Sequence, residues 1–350
     1  MKCDVTITLL QMGVKYLNKF LIQKCPNAIT LTKMSELRNK VLVVDTNIYL
    51  YKFSMGNSLI ENMYLMLSLF EQYQITPIFI FDGKPPTEKK KLIDRRYREK
   101  SVAEKEYEEL SQKLENNQIS NSKRKDIVNK LNLLKRKCVC ITKNDIQEVQ
   151  HLISSYGFTY MQAPHEADEL CSLFVKSGKA WACISEDMDL LVHGTPRVLR
   201  YLSLINQSFV LYDTSQILFE LKITQTEFMQ ICVLSGTDYN LDIHNNIEEL
   251  FTLFYKFKDD CKCKNKNKKT MQPDFISWLR EASQCSDSNI QVDTEDSLEK
   301  SINMFLQPSK LCKEIVAEAT CFRHQKNICK VQNILEQDGF VYPQTIKCCA

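Results

Sequence analysis

The sequence predicts an α/β protein with a mostly parallel central sheet flanked by helices, a basic helical insertion and a divergent helical C-terminal region. Three observations predict it. Two short apolar runs end in an acid, VLVVD at Asp45 and PIFIFD at Asp82, with a helical pattern between them; that order suits parallel strands joined by right-handed crossovers. A third strand-like run, AWACIS, is followed at once by Glu186, Asp187 and Asp189, and ligands bind beyond the carboxyl ends of parallel strands. Between Lys84 and Lys137 the chain turns basic, with helical periodicity and no strand signal.

The elements follow in order. Val14 to Lys24 reads as an amphipathic helix with Val14, Leu17, Phe20 and Leu21 on one side. Asn39 to Tyr51 contains the first strand and its acid, Leu59 to Tyr73 a helix, and Ile75 to Phe81 the next strand. Residues 84–137 carry 17 Lys/Arg against nine Asp/Glu, a net of +8, so with +3 overall the remainder is −5. The run NNQISN at 116–121 breaks the pattern, giving two long helices in a hairpin that is either solvated or built to meet phosphates. A helix over Asp145 to Phe158 leads into a strand at Thr159 to Met161, then further strands at Val198 to Leu204 and Phe209 to Tyr212, and a helix from Thr224 to Ser235.

The acidic stretch runs from Ala163 to Leu191. Pro164 suits a first helical turn, placing Glu166, Asp168 and Glu169 in that turn, where the helix dipole favours acids with or without a function. Asp238 follows an apolar segment, VLSGTD, of helical character. Gathering Asp45, Asp82, Glu166, Asp168, Asp187, Asp189 and Asp238 near one sheet end would be self-repulsive unless divalent cations intervened, and oxygen-only ligands favour Mg²⁺ or Mn²⁺.

Composition excludes several classes. A hydrophobic content of 44% and a charged content of 25% are ordinary for a globular protein. The N-terminal MKCDVTITLLQ has an early acid and too short an apolar run for a signal peptide, and no run reaches membrane-spanning length. The 15 cysteines suggest a reducing, intracellular compartment. With only eight glycines and no GxxxxGK, a P-loop enzyme is excluded.

Five motifs, DTNIYLY (45–51), FDGKPP (81–86), APHEADE (163–169), SEDMDLL (185–191) and GTDY (236–239), together resemble the motif series of the flap endonuclease/XPG family of structure-specific 5′ nucleases. They stand in the family's order at closely similar spacing across about residues 12–240. The resemblance implies a PIN-like 5′-nuclease core over residues 12–258, with a helical arch at 83–138 that handles a single-stranded 5′ end. It implies two Mg²⁺ ions per site, with Mn²⁺ able to substitute. Asp45, Asp82, Glu166 and Asp168 would hold one ion, and Asp187, Asp189 and Asp238 the other. Lys89 and Arg96 would act on the scissile phosphate, and Gly13, Tyr51, Lys84 and Arg95 would contact DNA, Tyr51 by stacking on a base or else serving as a core aromatic.

The sequence also departs from the family pattern. Residues 1–11 form an extension before Met12-Gly13, so either translation begins at Met12 or the extension is steered away from DNA. Asp168 stands where glutamate is usual, with Glu169 a possible substitute ligand. Residues 236–258 form a degenerate helix-two-turn-helix region with no glycine after Gly236. Residues 259–350 form a divergent region in which the lysines from Lys256 to Lys269 suggest a polar loop and 285–300 an acidic linker. The function expected is 5′ flap endonuclease and 5′-3′ exonuclease action in replication, repair or recombination, by a monomer on branched DNA with a 5′ flap. A nuclear location or a cytoplasmic site of viral DNA replication would suit it. No sliding-clamp motif is visible. The alternatives are a junction- or gap-specific nuclease and a non-catalytic nucleic-acid-binding scaffold.

Overall fold

The computed structural model describes residues 13–56, 58–115, 121–264, 274–285, 290–291, 294–319 and 324–341. The expected extension at 1–11, the hairpin break at 116–120, and Lys266, Lys268 and Lys269 lie outside the described residues.

Along the chain the elements are α1 (Leu17–Lys24), β1 (Ile29–Lys33), β2 (Val41–Asp45), α2 (Thr46–Ser54), α3 (Leu59–Gln72), β3 (Thr76–Phe81), α4 (Lys90–Glu115), α5 (Asn121–Lys137), α6 (Lys143–Ser155) and β4 (Thr159–Gln162). Then come α7 (Ala167–Lys176), β5 (Ala182–Ile184), α8 (Asp189–Val192), β6 (Arg197–Ser203), β7 (Ser208–Asp213), α9 (Thr214–Leu221), α10 (Gln225–Ser235) and α11 (Ile247–Lys264). The last described are α12 (Phe275–Cys285), α13 (Glu295–Leu306), α14 (Lys310–Glu318) and α15 (Ile328–Gln337). They belong to two units.

One unit comprises Lys33–Ala167, Ser203–Ser208 and the residues from Glu318 onward. Its strands β2, β3 and β4 are parallel, with Val43 opposite Ile78 and Ile78 opposite Thr159. Leu42, Val43, Val44, Ile78, Phe79 and Ile80 are all buried, because β2 and β3 are covered on both faces, which is why they read as unbroken apolar runs. Helix α3 buries Ile60, Met63, Leu67 and Phe70 along one stripe. Helices α4 and α5 pack on each other, burying little beyond Ala103 and Leu134, with Lys130 paired to Glu106 between them. Helix α15 packs on α6.

The other unit comprises the residues up to Thr32, Asp168–Leu202 and Phe209–Ala317. Its strands lie in the order β1-β7-β6-β5, with β5 and β6 parallel and Cys183 opposite Val198. Helix α10 buries Phe228, Met229, Ile231, Cys232, Val233 and Leu234, so it is apolar all round and forms the unit's centre. Helices α8, α11 and α13 pack against it.

Four expectations are corrected. The N-terminal helix begins at Leu17, after Gly13 (φ 75°) and Tyr16 (φ 60°) turn the chain, rather than at Val14. Helix α7 begins at Ala167 rather than Pro164, so Glu166 precedes it. The reason is tertiary: the Ala163 N–H donates to the Phe81 carbonyl and the Gly83 N–H to the His165 carbonyl, which holds 163–166 off the helical path. The lysines at 256, 258, 262 and 264 lie in α11 rather than in a loop, because Phe251, Phe254 and Phe257 carry an aromatic face onto Phe20, Phe275 and Trp278. Residues 295–300 are the start of α13 rather than linker, with Leu298 buried.

Candidate active site

Within the first unit, Asp45 is the last residue of β2 and is buried. Asp82 follows the last residue of β3, and its carboxylate accepts the Ala167 N–H at 2.8 Å, capping the start of α7. The Asp82 N–H donates to Asn47 Oδ1 on α2. Gly83 allows this approach: an ideal Cβ there would stand 2.8 Å from the Pro164 carbonyl oxygen. Glu166 pairs with Lys89 at 2.7 Å, with side-chain exposures of 19% and 8%. Lys89 thus stands, mostly buried, in the turn that opens α4.

Arg95 and Arg96 sit on α4, both exposed, with Arg95 Nε donating to Glu99 one turn on. Lys84 is also exposed. Tyr51, on α2, keeps 43% of its surface exposed. Partial burial raises its hydroxyl pKa above the ordinary value; Cys140 and Asp82 add to the rise, while Lys100 and Arg96 oppose it. The Tyr51 ring therefore belongs to the neighbourhood of Arg96 and Asp82.

Within the second unit, Asp168 lies in the first turn of α7, Asp187 and Asp189 follow β5, and Asp238 follows α10; all four are buried. The loop after β5 is cross-linked internally. The Asp187 N–H donates to Ser185 Oγ at 3.1 Å, and the Asp189 N–H donates to Asp187 Oδ1 at 2.9 Å. Gly13 abuts this loop: an ideal Cβ there would meet Asp189 Oδ1 and stand 2.6 Å from Asp187 Oδ1. Only glycine fits, at φ 75° and with no side chain. Burial first, and the Asp189 carboxylate second, hold the Cys232 thiol of α10 well above its usual pKa.

One of the carboxylate oxygens of Glu169 accepts the Ser309 N–H at the start of α14. Glu186 likewise accepts the Tyr201 N–H. Sequence reasoning missed Arg200, a buried arginine on β6 bonded to the loop that carries Asp187 and Asp189. Its only local signal was a cation in the middle of a strand, between Leu199 and Tyr201.

Five of the seven acids, Asp45, Asp168, Asp187, Asp189 and Asp238, are buried, and every donor is a carboxylate oxygen. That donor set fits a hard divalent cation. Among the described residues no three His, Cys, Asp or Glu side chains already close on one point.

Between α10 and α11 the turn is held by asparagines. Asn240 Nδ2 donates to the Val233 carbonyl and Asn245 Nδ2 to the Leu234 carbonyl, both at 2.7 Å. Helix α11 then opens with Glu248 and Glu249.

Parallel strands that end in buried acids, flanked by helices and carrying a basic helical pair, define a nuclease-type α/β core of the PIN class. The XPG N-terminal domain model matches residues 12–103 and the XPG I-region model residues 157–238. Flap endonuclease 1 of Homo sapiens is 30% identical over 250 residues, and that of Glycine max 29% over 247; each alignment spans 65% of this chain and 62% of the relative's length. The catalytic core of Rad2 in complex with DNA substrate superposes with a TM-score of 0.64 at 19% identity, covering 94% of this chain and 96% of that one. Flap endonuclease-1 from Methanococcus jannaschii gives 0.55 at 20% identity, covering 93% and 99%. The chain is thus similar to the flap endonuclease/XPG family across its N-terminal and I-region domains, and it spans less than two thirds of the length of the flap endonucleases it matches.

Proposed function

We propose that this chain is a structure-specific 5′ nuclease that hydrolyses DNA phosphodiesters near a branch bearing a 5′ single strand. The observation that carries this reading is the burial of Asp45, Asp168, Asp187, Asp189 and Asp238 at strand ends and helix ends. A scaffold that only bound DNA would gain nothing from buried like charges, and functional sites are where such costs are kept. The similarity to XPG domains and to flap endonucleases supports the same reading.

Asp45, Asp82, Glu166 and Asp168 are proposed to hold one Mg²⁺, and Asp187, Asp189 and Asp238 a second, with Mn²⁺ able to replace either. When bound, such cations supply a nucleophilic water near neutral pH and neutralise the departing 3′ oxygen. Lys89 and Arg96 place positive charge where phosphoryl oxygens gain charge. Lys89 is held ready by Glu166. Tyr51 presents its exposed ring to a base, and Gly13 leaves room beside Asp187 and Asp189. Lys84 and Arg95 attract the phosphate backbone. The enzyme is proposed to act as a monomer on 5′-flap DNA, in the nucleus or at a cytoplasmic site of viral replication. Among the described residues no helix is long and apolar enough to cross a membrane.

A second reading, a junction- or gap-specific nuclease, is favoured by the start of α11, where the Glu248 N–H is already given to Asn246 Oδ1 and Glu248 and Glu249 set negative charge where a phosphate would approach. One assay separates the readings. Purified protein is given 5′-flap, 3′-flap, nicked, gapped, four-way and blunt duplexes, with Mg²⁺ or with chelator. Mg²⁺-dependent cleavage of the 5′ flap above all others is expected. Preference for the junction or gap supports the second reading, and activity that survives chelator ends both.

A further inference from the structure

Arg200 is the largest fully buried side chain of the described residues, 1% exposed, and the proposed chemistry does not call on it. A buried guanidinium is costly unless its hydrogens are satisfied, so what it bonds to shows what it is for. Its Nη2 donates to the Glu186 carbonyl at 2.8 Å. Its Nη1 donates to Met188 Sδ at 2.7 Å and to Asn18 Oδ1 at 2.9 Å. The Tyr201 and Tyr212 rings lie 4.8 and 5.3 Å from the guanidinium carbon. Asn18 is pinned in turn, donating to the Tyr201 hydroxyl at 2.8 Å and accepting from the Tyr212 hydroxyl at 2.7 Å.

These contacts divide the loop after β5 by alternation. The guanidinium grips the even residues, Glu186 by its backbone and Met188 by its sulfur. The odd residues, Asp187 and Asp189, carry their carboxylates to the space that a Gly13 side chain would fill. Through Asn18 the same guanidinium holds α1, the helix that follows Gly13. One planar group therefore registers both the acidic loop and the backbone beside it.

We propose that Arg200 is a positioning residue that sets the Asp187 and Asp189 carboxylates for divalent-cation binding; this rests on the nuclease reading above. Lysine cannot replace it, since a single ammonium lacks the planar fork that reaches a carbonyl, a sulfur and an amide oxygen together.

The test measures Mn²⁺ binding to the full chain without DNA, by the electron paramagnetic signal of free Mn²⁺. Wild type, Arg200→Lys and Asn18→Ala are compared well below their melting temperatures, with circular dichroism confirming the fold. Arg200→Lys should raise the Mn²⁺ Kd by at least about 10-fold, the scale on which groups that orient metal ligands act. Asn18→Ala, which removes one partner and keeps the cation, should raise it by a smaller factor. The Mg²⁺ concentration for half-maximal 5′-flap cleavage should rise in parallel, with DNA affinity in chelator unchanged. Should Arg200→Lys not fold, Asn18→Ala alone decides. Mn²⁺ affinity equal to wild type in the folded variants, however far their Tm falls, would show Arg200 to be purely structural and overturn the proposal. A wild type that binds no Mn²⁺ and cuts no DNA would remove the nuclease reading itself.

Discussion

The acids and the bases of this protein are kept in opposite ways. Asp187 and Asp189 are buried, joined by a backbone-to-carboxylate hydrogen bond, and set against a glycine that leaves them no slack. The bases of α4 are mostly exposed; Arg95, Arg96 and Arg98 lie at the surface, and the hydrogen bonds of Arg95 and Arg98 run along their own helix. Lys89 is the exception, buried and tied to Glu166. Groups that share in a transition state need fixed geometry, whereas groups that only attract a polyanion do not. The difference teaches that loss of an acid should strike the rate, loss of an exposed base should strike affinity, and Lys89 should behave as an acid does, with Arg96, exposed but proposed to act on the same phosphate, as the test between the two.

The largest effect is expected from Asp187→Asn. It removes a cation ligand and leaves α4 untouched, so single-turnover cleavage should fall by at least about 100-fold, the scale of losing one preorganised electrostatic group. Equal loss of cleavage and DNA binding would break the comparison.

Lys89→Ala comes next. Cleavage at saturating protein should fall by about 10- to 100-fold while the DNA Kd changes by less than about threefold. Arg96→Ala should follow the same pattern more weakly, because its side chain is exposed whereas that of Lys89 is buried. A raised Kd with an unchanged chemical step would class either residue with the exposed bases.

Substituting Lys84 and Arg95 together should leave the single-turnover rate intact and weaken DNA binding. Each lost phosphate contact should flatten the slope of log affinity against log salt by at most about 0.9. An unchanged slope would show that these side chains do not meet phosphates.

The smallest effect concerns neither set. Lys326 donates to Glu71 at 2.8 Å and lies over the Tyr156 ring. Burial alone would lower its pKa, but the bonds to Glu71 and Tyr156 win and raise it above 10.5. A cation with a raised folded pKa contributes stability that is fully present below the unfolded value and lost as pH climbs through the folded one. Lys326→Met should therefore lower Tm by a few degrees at pH 7 to 9, and the difference should shrink above about pH 10.5.

Much of the fold was legible because its signals are local. VLVVD and PIFIFD are buried on both faces, so their apolar runs needed no knowledge of the partner strands. The helix read from Thr224 to Ser235 is α10, which the structure opens with a capping box between Thr224 and Glu227. What failed depended on distant partners. The start of α7 is set by Asp82, 85 residues away, which no periodicity around Pro164 could reveal. Strand β1, ITLTK, was missed because only Thr32 of its five residues is buried. Helices α14 and α15 are amphipathic and rich in polar residues, and their buried positions, such as Cys312 and Val331, declare themselves only once packed. The seven acids were visible as motifs, but Arg200 was not, since its partners come from Asn18, Glu186 and Met188 on separate segments.

The central claim is that the buried acids exist to hold divalent cations, and thermal unfolding tests it most directly. A cation that binds only the folded state raises Tm by mass action, and neutralising one of the two neighbouring carboxylates of Asp187 and Asp189 relieves repulsion in the metal-free protein. Wild type should melt several degrees higher in millimolar Mg²⁺ or Mn²⁺ than in chelator. Asp187→Asn should melt at or above wild type in chelator and lose most of the cation-induced rise. The same rise in both proteins, or none in wild type, would contradict the account.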